Sequence, residues 1–109
     1  MSAFKERCPK YIKCGAKTYK IKVDSALLSA SPETFGMFLS DKMLIIIRDT
    51  LPFEEAREVL MHEIIHMLHF NMGHADASGE FDGEVNVSLL SFMFDSLLDS
   101  NPGLLRLYT

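Results

Sequence analysis

The stretch from Pro52 to about Phe70 holds good helix formers and no internal glycine, and Val59, Leu60, Ile64, Met67 and Leu68 recur on one face of it. A helix that long must bury its apolar stripe, and a chain of 109 residues has room for one modest domain to do so. With 48% apolar residues the chain can build that core. Pro52 suits a first helical turn, Asp49 or Thr50 can cap it, and Glu54 and Glu55 sit near the positive end of the helix dipole. Asn71 and Gly73 are stop signals.

The cover comes from the segments before the helix. Lys17 to Val23 alternates polar and apolar residues, the period of a half-buried strand. Phe35 to Leu39 and Met43 to Ile47 flank a polar Ser40-Asp41-Lys42 turn and read as a hairpin. Residues 72–82 form a polar loop. A second helix is expected from about Gly83 to Asp99, capped by Asp82, with Asn101-Pro102 ending it and capping a short turn from Gly103 to Tyr108. Strands followed by helices give an α+β class with a short antiparallel sheet. Residues 1–16, with Pro9 and Gly15, read as an irregular basic arm before a single domain over 17–109.

Inside the long helix lies His62-Glu63-Ile64-Ile65-His66. Residues four apart on a helix are about 40° apart around the axis and about 6 Å apart along it, so both imidazoles can reach one ion. Neutral imidazole suits Zn²⁺. Glu63 can project beside the metal without binding it and accept a proton from zinc-bound water, whose pKa the ion lowers. The H-E-x-x-H string arises by chance in roughly a few per thousand chains of this length, and here it also falls mid-helix.

A catalytic zinc takes three protein ligands and keeps one position open. The candidates for the third are His69, His74, Asp76, Glu80, Asp82 and Glu84. His69 shares the helix face of His62 but lies too far along a straight helix to join it in one tetrahedral site. His69 and Met72 stand where the long metzincin pattern needs Gly and His, so that pattern fails. Glu84 opens the second helix, and a rigid element can place it. It also belongs to a polar stripe with Ser88, Ser91 and Asp95, the pattern of a solvated face, and position alone leaves the two readings level.

Charge is uneven. Residues 1–22 carry seven Lys or Arg and one acidic residue, while the remainder carries four basic and fourteen acidic residues, for a net charge of −4. The basic end could touch nucleic acid. The simpler reading is a solvated terminus, and no RNA-recognition or helix-turn-helix pattern supports the other. Cys8 and Cys14, spaced C-x5-C, do not make a zinc-finger pair and read as reduced thiols. No apolar run is long enough to span a membrane, and the polar N-terminus lacks a secretion signal, so a cytoplasmic protein is expected.

Taken together, the strand Met43 to Ile47, the helix Glu58 to His66 and the segment Glu84 to Pro102 resemble the small phage- and mobile-element-encoded zinc metallopeptidases of the ImmA/IrrE-like kind, a minimal gluzincin arrangement. The resemblance spans about residues 17–105, and only H-E-x-x-H in it is a specific motif. It implies a zincin-like domain: a short sheet packed on the H-E-x-x-H helix, His62 and His66 as ligands, Glu63 as base and Glu84 as third ligand. It implies a protein or peptide substrate, such as a repressor, within a bacterial host. A substrate strand is expected to pair with the hairpin edge at Met43 to Ile47. Two alternatives stand beside this reading: an inactive, zinc-stabilised phage protein acting as a binding module, and a nucleic-acid-associated metallopeptidase of the SprT kind that uses the basic end.

Overall fold

A computed structural model describes residues 3–28, 34–72 and 84–108, with the backbone alone for Leu27 and for 84–89. The alternation at Lys17–Val23 does produce a strand, β2, with Tyr19 and Ile21 turned inward. It pairs antiparallel with β1 (Tyr11–Cys14) through the two-residue loop Gly15-Ala16. Gly15 has φ +62°, in the left-handed region that primed hairpin turns require. The expected second hairpin is also present: β3 (Gly36–Leu39) pairs antiparallel with β4 (Leu44–Ile47) across a 3-10 turn at Ser40–Lys42.

The domain is α+β, but its sheet is mixed rather than antiparallel. β2 and β4 run parallel, giving the order β1-β2-β4-β3. The chain leaves β2 through a 3-10 turn at Ser25–Leu28, reaches the outer position as β3, and returns as β4 between β3 and β2. The expected substrate edge at Met43 to Ile47 is therefore interior, and β3 is the outer strand. Ile45, Ile46 and Ile47, all 3% exposed or less, explain this: a strand buried on both faces belongs in the middle of a sheet.

One long helix, α2 (Phe53–Asn71), lies across β3 and β4. Its buried face carries Leu60, Ile64, Met67 and Leu68, as the periodicity predicts. Each such side chain taken from water contributes about 1.5–3 kcal/mol. The N-cap is Pro52 and makes no side-chain cap, in place of the expected Asp49 or Thr50. Asp49 is engaged elsewhere: its carboxylate accepts from the Ser25 hydroxyl, and its N–H donates to Ser25 Oγ at 3.2 Å. At the other end, Asn71 Nδ2 donates to the Tyr19 hydroxyl at 3.1 Å and ties α2 to β2. The second helix, α3 (Glu84–Ser100), packs on α2 and β1, and α4 (Pro102–Leu107) closes the chain. The expected cap at Asp82 lies outside the described residues.

The N-terminal segment is not the irregular arm that its charge suggested. Ala3–Arg7 is a short helix, α1, and Phe4 is fully buried against Phe53, with ring centroids 6.1 Å apart. Apolar residues at Phe4, Cys8, Ile12 and Cys14 enter the core between solvated lysines. Both cysteines are free thiols. Burial pushes the Cys8 thiol up to about 12; it also raises Cys14, partly offset by Lys17.

Asn101 joins this segment to the C-terminal helices. Its Oδ1 accepts the Lys13 N–H at 2.8 Å, while its Nδ2 donates to the Lys13 carbonyl at 2.8 Å and to the Leu97 carbonyl at 2.7 Å. The side-chain amide thus occupies the place of a neighbouring strand on the outer side of β1. Replacing Asn101 by Ala leaves both Lys13 backbone groups without these partners and should cost about 2–4 kcal/mol in urea denaturation. Asn101→Asp, which offers Lys13 a second acceptor where a donor is needed, should be nearly as damaging. Iodoacetamide should modify neither Cys8 nor Cys14 in the native protein and both in urea, read by mass spectrometry, because burial leaves the Cys8 thiolate population roughly a thousandfold smaller than in a free thiol.

Candidate metal centre

The helical spacing brings His62 and His66 together as expected. Their Nε2 atoms are 3.0 Å apart and both side chains are exposed. The rings are nearly perpendicular, at 81°, with centroids 4.6 Å apart. Two nitrogens bound at about 2.0–2.1 Å to one tetrahedral ion stand about 3.3–3.4 Å apart, so small ring rotations would fit this pair to zinc.

Glu63 differs from its two neighbours. It is only 7% exposed, although it is an acidic residue on the same helix. The cause is β3, which passes directly over it. A Cβ added to Gly36 would lie 3.3 Å from both Cγ and Oε2 of Glu63, and 2.5 Å from Cγ1 of Val59. Only a residue without a side chain permits this approach. Burial raises the Glu63 pKa, and the charges of His62 and His66 partly counter the rise. A carboxyl held in this way is a better proton acceptor near neutral pH than an ordinary glutamate.

His62 and Glu63 border a groove of about 500 Å³, with Glu58 and Val59 beside them on α2 and with Thr34, Phe35 and Gly36 facing them. The wall is fixed by Arg48, whose Nε and Nη2 donate to the Thr34 carbonyl at 3.0 and 2.7 Å, and whose backbone N–H donates to the Phe35 carbonyl at 2.9 Å. That last bond sets the ladder. In an antiparallel pair bonded and non-bonded residues alternate, so Met37 and Leu39 bond to β4, while the N–H and C=O of Gly36 and Phe38 face outward over the groove.

No third histidine, cysteine, aspartate or glutamate joins His62 and His66 among the described residues. His69 is half-buried one turn further on. His74, Asp76, Glu80 and Asp82 lie outside the described residues. Glu84 is the first residue of α3, and its side chain also lies outside them. Sequence reasoning passed over Gly36 and Arg48. A lone glycine inside an apolar strand run is a signal of close backbone approach, and it was the available clue. Comparisons with protein-family models, curated proteins and solved structures find no match.

Because an added Cβ would meet Val59 Cγ1 at 2.5 Å, Gly36→Ala should cost about 1–3 kcal/mol of stability. Val59→Ala removes the atom that an added Cβ would strike. The double variant should therefore lose less stability than the sum of the two single changes. Strict additivity in urea titrations would refute the contact.

Proposed function

We propose that this chain is a zinc-dependent peptidase. The observation that carries the reading is the convergence of His62 and His66 Nε2 next to a buried Glu63, with His62 and Glu63 lining a groove beneath the outer strand β3. When bound, zinc would supply Lewis acidity, acidifying a water and polarising a substrate carbonyl. The chain's own groups do the rest. An extended peptide lies along β3 and exchanges backbone hydrogen bonds with Gly36 and Phe38, which holds its carbonyl over the helix. Glu63 takes the proton from the attacking water and delivers it to the departing amine nitrogen. Its burial supports this role by making the neutral, proton-carrying form accessible between the two transfers.

Glu84 remains the proposed third ligand, because it opens α3, a helix that packs on α2. Elemental analysis of wild type, His66→Ala and Glu84→Ala tests the site. Near-stoichiometric zinc in wild type, lost in both variants, is expected. Zinc retained in Glu84→Ala would reject that residue in favour of His74, Asp76, Glu80 or Asp82. Glu63→Gln should keep its zinc and lose about 10²–10⁴-fold in the cleavage of a fluorogenic protein substrate. Undiminished cleavage by that variant would sink the mechanism, and zinc without cleavage in wild type would favour a binding module.

A further inference from the structure

We propose that the outer face of the β1–β2 pair, turned away from α2, is a docking surface for single-stranded nucleic acid. This surface is independent of the metal reading. The inward positions of β1 and β2 are Ile12, Cys14, Tyr19 and Ile21, so the pleat sets Tyr11, Lys13, Lys20 and Lys22 on the opposite face. Tyr11 stands directly across from Lys20, and Lys13 across from Thr18. Lys20 and Lys22 are about 6.6 Å apart along one strand, and β1 runs about 4.8 Å away, so the three ammonium groups and one ring share a single small patch. Lys17 is not part of it, since its Nζ sits 5.3 Å from the Phe70 ring centroid on the other face.

The strand pair itself supplies no neutralising charge: no acidic residue occurs between Lys10 and Val23. Tyr11 is 57% exposed, an unusual outlay of aromatic surface beside lysines. A free ring flanked by cations on a flat strand pair is the combination that binds single strands: the ring stacks on a base and the ammonium groups track phosphates. An anionic lipid surface fits less well. The protein carries −4 overall, so a broad anionic plane would also meet its acidic remainder, whereas a single strand can follow the stripe alone.

Fluorescence anisotropy of the full chain with labelled oligothymidylate and oligouridylate, across a salt series, tests this. Binding is expected with a log–log salt slope near about −2, the value for roughly three phosphate contacts on a single strand. Lys20→Glu/Lys22→Glu should weaken binding at least about tenfold and flatten that slope, while the charge-matched Lys5→Glu/Arg106→Glu, away from the sheet, should bind nearly as wild type. Tyr11→Ala should weaken binding by about fivefold or more with the slope unchanged. Thermal melts of each variant separate loss of binding from loss of fold. Preference for one oligomer would distinguish DNA from RNA as the source. Absence of binding at low salt, equal loss in the Lys5/Arg106 control, or binding only to phosphatidylserine vesicles would overturn the proposal.

Discussion

The architecture turns on one close approach, where β3 crosses α2 at Gly36. Because no side chain separates strand from helix there, the backbone lies within van der Waals reach of Val59 and Glu63. Burial of the glutamate and the placement of the outer strand over a groove lined by His62 and Glu63 both follow from it. Arg48 holds the strand's entry by gripping the Thr34 carbonyl, so the approach does not depend on the short β3 ladder alone. A residue far from the motif in sequence thus sets the environment of the motif's central carboxylate.

The fold also sorts the chain's uneven charge. Alternation along β1 and β2 sends Ile12, Cys14, Tyr19 and Ile21 towards the helices and Lys13, Lys20 and Lys22 to the other side, so one strongly basic segment both completes the core and covers the outer face of that strand pair. The histidine pair belongs to the helix on the inner side. Proposed chemistry and proposed anion recognition are therefore carried on separate surfaces, coupled only through the sheet.

Much of this was legible in the residues. The 3.6-residue pattern from Pro52 located α2, the His62–His66 spacing put two ring nitrogens together, and the alternation of Lys17–Val23 and the Ser40–Lys42 turn placed three of four strands. Strand order was not legible, because periodicity reports which faces are buried and says nothing of neighbours; the triple isoleucine of β4 was the one hint of a central position. The N-terminal segment was misjudged because its lysines dominate composition, while Phe4, Cys8 and Ile12 contribute through spacing. Gly36 was missed because its effect is a tertiary one: the atoms it spares belong to a helix more than twenty residues away. The third ligand stayed open in sequence, where several acids and histidines compete within one polar loop, and that loop lies outside the described residues.

The Asn101 amide has a consequence for how copies of this protein can meet. Open-ended growth of a sheet from chain to chain requires two free edges per molecule, one to accept a neighbour and one to offer. Here the middle of β1 already has its hydrogen-bonding groups occupied by a side chain from the far end of the polypeptide. Among the described residues, β3 is the edge that remains open. Pairing through that single edge closes on itself after two molecules, so this carboxamide makes edge-to-edge assembly self-limiting while leaving the other edge free for a guest.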